Sequence, residues 1–398
     1  MAHWARLRNV CAHMAPSAAE TMNDFAMRTP LSPTLAIKDT ADEMRAAGIQ
    51  LFDFGIGETN PEIPVPDIIK QTIASATLAE ENHYSPAQGD PALLEAIALD
   101  LGENFDIPTS VDQICVCPGP KDAIFKAAFA MTNGRAKRRR FICFAPIYES
   151  FISIPLLVSG EDPIVLQTDA KTFLPNPSDL RRALTENDDV CCVIVNSPNN
   201  PTGAIYPKQL LQELAAVLKD FPQVWALSDE VYRTVRYEPG RHASLRQYLP
   251  EQTVSVSGMS KEASGTGLRL GFCAGPLKLI ELIRSIQSNS SSCVNLPTQR
   301  AYEKLLRHDV AHNMELRGSI VAQLQARQQR LLVAFDAALQ RHPAVSDAVF
   351  AHVAQGAFCA YAPLVLSRVA QLGHRTVCLN CTALPPRICL RRNSLTVC

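Results

Sequence analysis

The sequence predicts an α/β fold with a mostly parallel sheet that helices cover on both faces. Short apolar runs typical of strands alternate with longer amphipathic runs typical of helices through the middle of the chain. Polar and glycine-containing motifs follow the apolar runs directly, where open parallel sheets bind their ligands. The size fits this prediction, because 398 residues that are 47% hydrophobic can form a large domain and a smaller one.

The elements follow one another in a regular order. The strand-like runs are residues 114–117, 140–144, 190–195, 224–227, 253–256 and 270–274. The helix-like runs are residues 122–131, 209–220 and 277–288, followed by a long helical pattern from 296 to 339. We therefore divide the chain into an N-terminal extension (1–21), the first part of a small domain (22–65), a large ligand-binding domain (66–295), and a linking helix with the rest of the small domain (296–398).

Composition argues against several classes of function. A formal net charge of −1 gives no reason to expect a nucleic-acid or membrane partner. The sequence has 13 cysteines, which is an odd number, and we recognise no secretory signal. We therefore expect reduced thiols and a cytoplasmic protein. Cys378 and Cys381 form a lone CxxC pair, for which we expect no metal. Five other cysteines lie in strand-like runs, and we expect them to be small core residues: Cys115, Cys117, Cys143, Cys191 and Cys192.

A lysine among small residues, Lys261, follows the strand-like run 253–256. Its amine can form a Schiff base with an aldehyde, and pyridoxal phosphate carries both an aldehyde and a phosphate. Ser260 and Arg269 would then bind the phosphate, for which an arginine fork is well shaped. The alternative is an exposed loop lysine beside a structural arginine.

Two further motifs end strand-like runs. In NNPTG (199–203), the Asn200 amide can donate to the phenolate oxygen of pyridoxal, although the motif is also simply a rigid turn. In SDEVY (228–232), Asp229 can pair with the pyridine nitrogen and keep it protonated, which makes the ring an electron sink. Tyr232 can reach the same phenolate oxygen; a strand-end acid with a packed tyrosine is the alternative.

A glycine turn upstream leads from a strand into a helix. Gly119, Pro120 and Lys121 stand where backbone amides at a helix N-terminus cradle phosphate, although Pro120 lacks an amide hydrogen. Tyr148 can lie flat against the pyridine ring or serve as a core aromatic.

Together, these motifs resemble the class I/II aminotransferases, which are pyridoxal-phosphate enzymes of fold type I. The resemblance runs from about residue 29 to 387, and the combination of NNPTG, SDEVY and SKxxxGxGxRLGF is very specific. It implies that Lys261 is the Schiff-base lysine and proton shuttle, and that Asp229 is the pyridinium partner. It also implies roles for Asn200 and Tyr232 at the phenolate and for Tyr148 on the ring. The positions that match the phosphate side are Gly119, Pro120, Lys121, Ser260 and Arg269.

The resemblance implies three more site residues. The Gly57 amide would meet the substrate carboxylate beside Asn200, and Arg387 would hold that carboxylate in a bidentate fork. Tyr84 would reach the cofactor phosphate of a neighbouring subunit, which implies a homodimer with shared active sites. The segment before Arg387 departs from the family pattern, so the small domain is expected to be altered there, with Arg391 as a competing arginine.

The resemblance implies a transferase of amino-acid metabolism that moves an amino group from an L-amino acid to a 2-oxo acid in two half-reactions. Lys121 matches a position that faces the distal carboxylate in bacterial aspartate and prephenate transaminases, which favours an aspartate-like donor. Aromatic or alanine donors, a lyase or synthase reaction on the same fold, and a non-catalytic homologue are the alternatives. The partners expected are therefore small-molecule amino acids and 2-oxo acids.

Overall fold

The computed structural model of the chain describes residues 23–49, 57–59, 61–132, 139–341, 353–357, 388–391 and 394–397. Seven strands in these ranges form one sheet in the order β1-β7-β6-β5-β4-β2-β3. The strands are β1 Ile114–Cys117, β2 Arg140–Ala145, β3 Ile164–Gln167, β4 Val190–Asn196, β5 Trp225–Asp229, β6 Thr253–Ser257 and β7 Gly271–Ala274. A separate antiparallel pair consists of β8 Ile388–Arg391 and β9 Ser394–Val397.

The direction of the strands brings most of their carboxyl ends to one edge of the sheet. Strands β3, β2, β4, β5 and β6 pair in parallel, whereas β7 is antiparallel to both β6 and β1. Strand β1 therefore runs in the same direction as β6, and its carboxyl end lies at the same edge. The predicted mostly parallel α/β fold is confirmed, and β3 is an edge strand that the sequence reading did not include.

Helices cover both faces of this sheet. Along β2, Phe141 and Cys143 pack with helices on one face, whereas Ile142 and Phe144 pack with helices on the other. This alternation follows from the two-residue period of a strand. The helices are α1 Asp24–Arg28, α2 Pro33–Ala46, α3 Asp67–Leu78, α4 Pro91–Phe105, α5 Pro120–Met131, α6 Ser150–Ser159, α7 Pro177–Glu186, α8 Lys208–Lys219, α9 Met259–Glu262, α10 Leu277–Ser290, α11 Leu296–Ala311 and α12 Glu315–Arg341.

Two helices replace the single long helical pattern expected from 296 to 339. The chain leaves the helix between α11 and α12, where Asn313 and Met314 adopt left-handed backbone angles of 49° and 59° in φ. The carboxylate of Asp309 then caps α12 by accepting from the backbone amides of Leu316 and Arg317, at 2.9 and 3.2 Å. A left-handed residue ends a helix without any proline, so apolar periodicity alone does not locate this break.

The core contains the strand cysteines, as expected. Cys115, Cys117, Cys143, Cys191 and Cys192 are all buried, while Cys378 and Cys381 lie outside the described residues. In the described part of the chain, no helix is both long enough and apolar enough to cross a membrane.

Candidate active site

Several of the predicted site residues lie at the edge where the carboxyl ends of β1, β2, β4, β5 and β6 meet. Gly119 follows β1, Tyr148 follows β2, and Asp229 is the last residue of β5. Ser260 and Lys261 lie in α9, which begins just after β6. With Asn200, which follows β4, five segments that are far apart in the sequence contribute to this edge of the sheet.

Gly119 and Arg269 form one corner of this edge. Gly119 has a φ of 94°, and a Cβ atom there would lie 2.6 Å from Nη2 of Arg269. Gly271 brings the backbones equally close, because a Cβ atom on it would lie 2.5 Å from the nitrogen of Pro120. Pro120 begins helix α5, so the guanidinium of Arg269 lies beside a helix N-terminus. Positive charge from both sources favours an anion in this corner.

Ser260 supports an anion site at the same edge. Its side chain is buried, and its hydroxyl oxygen has no hydrogen-bond partner within the segments that the structure describes. A buried hydroxyl without a partner costs free energy. A phosphate group would give this hydroxyl an acceptor, so Ser260, Gly119 and Arg269 suit the phosphate of the predicted cofactor.

Lys261 contacts the segment around Gly57. Its Nζ donates a hydrogen bond to the carbonyl oxygen of Gly57 at 2.6 Å. Two further hydrogen bonds join the same segments: Thr59 donates to Ser264 at 2.8 Å, and Thr266 donates to Glu58 at 3.1 Å. The glycine turn and the lysine motif, distant in sequence, therefore meet at the site.

Asp229 presents a carboxyl group in a buried environment. Burial raises its pKa from 3.8 to about 7; the nearby Glu230 carboxylate also raises it, whereas the amide of Val231 and the charge of Lys261 oppose the rise. The Val231 amide donates to Oδ1 of Asp229 at 3.1 Å. A cationic partner in the site would stabilise the ionised form, so Asp229 suits a protonated pyridine nitrogen.

Asn200 lies in a turn that is held together by hydrogen bonds to the side chains of neighbouring asparagines. Its backbone amide donates to Oδ1 of Asn196 at 2.7 Å, and Asn199 Oδ1 accepts from the hydroxyl of Thr202 at 2.8 Å. The carbonyl of Gly203 accepts from the amide of Gly356 at 3.0 Å. The turn is thus fixed against the described segment 353–357.

Tyr232 is buried in an apolar cluster behind the site, with Ile63, Val235, Ile320 and Ala357 among its members. It follows Asp229 closely in the chain, and its backbone carbonyl accepts from the amide of Val235 at 2.8 Å. The backbone that carries the Tyr232 ring is therefore held close to the end of β5.

Tyr148 has a cation and an anion as neighbours. Nζ of Lys121 lies 5.4 Å from the centre of the Tyr148 ring and 3.8 Å from Oε1 of Glu149. Burial raises the pKa of Tyr148, and the Glu149 carboxylate adds to the rise. Glu149 is a site residue that the sequence reading did not include. Its position directly after the predicted ring-stacking tyrosine is the signal that points to it.

The two remaining predicted site residues are Tyr84 and Arg387. The side chain of Tyr84 is 83% exposed, so it is accessible to another molecule. Arg387 and its competitor Arg391 differ in placement: Arg387 lies outside the described residues, and Arg391 ends β8. In the described ranges, no cluster of three or more His, Cys, Asp or Glu side chains is arranged for a metal ion.

Comparisons with known proteins point to one family. Residues 49–363 match the family model "Aminotransferase class I and II". An aspartate aminotransferase of Pinus pinaster is 33% identical over 68% of this chain and 54% of its own length. An aspartate/prephenate aminotransferase of Thermus thermophilus is 32% identical over 70% of each chain. This chain thus spans about half of the pine protein and more of the bacterial one.

Solved structures give the same result at the level of the fold. A double mutant of Thermus thermophilus aspartate aminotransferase has a TM-score of 0.75 and 26% sequence identity, and the superposition covers 84% of this chain and 83% of that one. An aspartate aminotransferase of Rhizobium meliloti has a TM-score of 0.73 and covers 86% of this chain.

Proposed function

The chain belongs to the class I and II aminotransferases, and we propose that it moves the amino group of an L-amino acid, with an aspartate-like donor favoured, to a 2-oxo acid. One observation carries the proposal. Lys261 lies in the short helix α9, which begins two residues after the last residue of β6, and Asp229 ends the neighbouring parallel strand β5. An amine and a buried carboxylate are thereby presented at one edge of the sheet, beside a corner built for an anion.

The cofactor of this family is pyridoxal phosphate, which when bound supplies an aldehyde for amines and a ring that accepts electrons. Lys261 would hold its aldehyde carbon, and Arg269, Ser260 and the N-terminus of α5 from Gly119 to Lys121 would hold its phosphate. Asn200 and Tyr232 would donate to its phenolate oxygen, and Tyr148 would cover the ring.

Proton movement falls to two residues of this chain. Nζ of Lys261, once released by the incoming amino group, would take the proton from the substrate α-carbon. It would then deliver this proton to the former aldehyde carbon of the cofactor. The carboxylate of Asp229 would keep a proton on the pyridine nitrogen through charge pairing in a buried site. The hydrogen bond from Lys261 to Gly57 indicates that the amine reaches the segment proposed to meet the substrate carboxylate.

We propose that separate residues recognise the α-carboxylate and the distal carboxylate of the substrate. The Gly57 amide, the Asn200 side chain and Arg387 would bind the α-carboxylate, and a bidentate arginine would fix which α-bond breaks. The ammonium group of Lys121 would bind a distal carboxylate. The names of the relatives, aspartate aminotransferase and aspartate/prephenate aminotransferase, support a dicarboxylic donor.

We also propose that the enzyme is a cytoplasmic homodimer with shared active sites. The exposure of Tyr84 supports a role at a partner's phosphate. Apolar side chains that remain exposed in the described residues, such as Leu78, Phe125 and Phe129, supply surface that a second copy could cover. The division at residues 21, 65 and 295 is retained as part of this proposal.

A spectroscopic half-reaction tests the proposed activity. Protein loaded with pyridoxal phosphate should lose its visible cofactor band when L-aspartate is added, and 2-oxoglutarate should restore it. L-alanine and L-phenylalanine, added in parallel, measure the preference among donors. Steady formation of a 2-oxo acid without an amino acceptor would contradict transamination and indicate a lyase. A cofactor band that no amino acid changes would also contradict it.

A further inference from the structure

Lys121 and Glu149 place opposite charges beside Tyr148 at the ligand edge of the sheet. Nζ of Lys121 lies 3.8 Å from Oε1 of Glu149, and the two side chains are 46% and 14% exposed. This separation exceeds the usual range of about 2.7–3.2 Å for a direct N–H···O hydrogen bond. The two charges therefore attract each other without being locked together. The proposed function uses Lys121, but it assigns no role to Glu149.

The Glu149 side chain is directed toward Ser32 and Lys121 and away from the first turn of its own helix. Glu149 immediately precedes helix α6, where a negative charge can interact favourably with the free amides of the first turn. Here the Glu149 side chain makes no capping hydrogen bond. Its Oε1 instead accepts from the hydroxyl of Ser32 at 3.0 Å and faces Lys121. The carboxylate thus adds to the charge of the site rather than to the stability of its helix.

We propose that Glu149 is a specificity-determining residue that opposes substrates with a distal carboxylate. A ligand carboxylate paired with Lys121 would lie within a few ångströms of Glu149, and like charges at that range disfavour binding. A distal amide or hydroxyl would instead donate to Glu149 and accept from Lys121. This inference rests on the proposed function, and it predicts a site that accepts neutral polar side chains as well as dicarboxylates.

Binding of two unreactive acids isolates the distal group. Succinate and butanoate differ only by a carboxylate in place of a methyl group, and calorimetry on the protein loaded with pyridoxal phosphate gives both affinities. Glu149→Gln should lower the succinate Kd about tenfold and leave the butanoate Kd unchanged. Lys121→Met should make succinate bind no better than butanoate. The matched control is Glu161→Gln, just beyond the other end of α6, where the carboxylate pairs with Arg139 at 2.7 Å; it should change neither Kd.

Steady-state kinetics with two substrates tests the same role of Glu149. The ratio of kcat/KM for aspartate to that for asparagine should rise about tenfold in Glu149→Gln. An unchanged succinate-to-butanoate ratio in this variant would overturn the inference. Glu149→Asp withdraws the carboxylate by one methylene, so if Glu149→Gln does not fold, Glu149→Asp should shift the ratio in the same direction by a smaller factor. An unshifted ratio there would overturn the inference too.

The binding ratio does not depend on turnover. Failure of every amino acid in the half-reaction contradicts the proposed function, whereas an unshifted binding ratio with active enzyme contradicts only the assignment of Glu149.

Discussion

At the end of strand β5, the carboxyl group of Asp229 is held in a site that disfavours its charge. Burial is the main cause, and it raises the pKa from 3.8 to about 7. A raised pKa means that the folded protein binds this proton more tightly than the unfolded chain does. The stability that this proton contributes is fully present below about pH 4 and is lost as the pH rises through about 7. The site is therefore arranged to accept a cation at physiological pH.

Asp229→Asn should consequently stabilise the cofactor-free protein while it abolishes most catalysis. The neutral amide avoids the buried charge, and its oxygen can still accept from the Val231 amide. The free energy of unfolding should rise by about 4 kcal/mol near pH 8.5 and by less than half of that near pH 5. Chemical denaturation at both pH values measures the difference. Equal or lower stability of the variant at both would contradict this account of Asp229.

A substitution of Ser260 tests the proposed phosphate site. Ser260→Ala should weaken binding of pyridoxal phosphate and of inorganic phosphate by about tenfold or more, because hydrogen bonds to charged groups contribute about 1.5–3 kcal/mol. The cofactor-free variant should be no less stable, since the lost hydroxyl is buried without a described partner. Thr253→Val is the matched control: Thr253 Oγ1 is likewise buried without a partner, at the opposite end of β6. Equal loss of affinity in both variants would exclude a specific role for Ser260.

The unit that builds the phosphate corner is a strand, a glycine turn and a helix. Local patterns in the sequence predict such units well, because each strand is a short apolar run and each turn carries glycine, proline or asparagine. Local patterns predict β3 less well, because its side chains alternate between half-buried and exposed at the edge of the sheet. They also fail between α11 and α12, where Asn313 and Met314 turn the chain through left-handed backbone angles.

Gly119→Ala tests the turn of this unit. The added methyl group would lie 2.6 Å from Arg269 Nη2, and the left-handed φ of 94° is strained for alanine. We expect a loss of about 1–2 kcal/mol in the free energy of unfolding together with weaker phosphate binding as Arg269 is displaced. Gly102→Ala in α4 is the control, since nothing lies within 4 Å of its added Cβ atom. It should stabilise the protein by about 0.5–1 kcal/mol. A silent Gly119→Ala variant would show that the corner is not closely packed.

Across the whole molecule, a buried network of charges fixes the two segments that carry Tyr232 and Lys261. Arg233 donates to Asp100 at 2.8 Å and to Glu262 at 3.4 Å. Arg317 pairs with Asp100 and Glu262 as well as with Asp309, and all of these side chains are essentially inaccessible to solvent. Helices α4, α9, α11 and α12 are joined through it to the turn after β5.

This network could not be predicted from the sequence. Each of its members reads as an ordinary surface charge, because charged residues are rarely buried unless they are paired. The pairs join residues that are far apart in the chain, and only the tertiary fold brings them together. The proposed site residues could be named from the sequence because they lie in compact motifs. Glu149 was missed because its partners Lys121 and Ser32 come from two other segments.

Arg317→Met should be among the most destabilising single changes outside the site. It leaves the buried carboxylate of Asp309 without its arginine, and Asp100 and Glu262 keep only Arg233. Breaking a buried ion pair in this way typically costs about 3–5 kcal/mol. Arg307→Met is the matched control, because Arg307 pairs with Glu95 and Glu303 while 42% exposed. Such exposed pairs contribute about 1 kcal/mol or less. Urea denaturation of both variants measures the difference, and similar losses would contradict the importance of the buried network.

We propose above all that Lys261 is the residue that holds the cofactor. The most direct test is borohydride reduction of the protein loaded with pyridoxal phosphate, followed by mass spectrometry of its peptides. We predict one stoichiometric pyridoxyl group on Lys261, and none in a Lys261→Ala variant treated in the same way. A label on Lys121 or another lysine, or no stoichiometric label at all, would contradict the account.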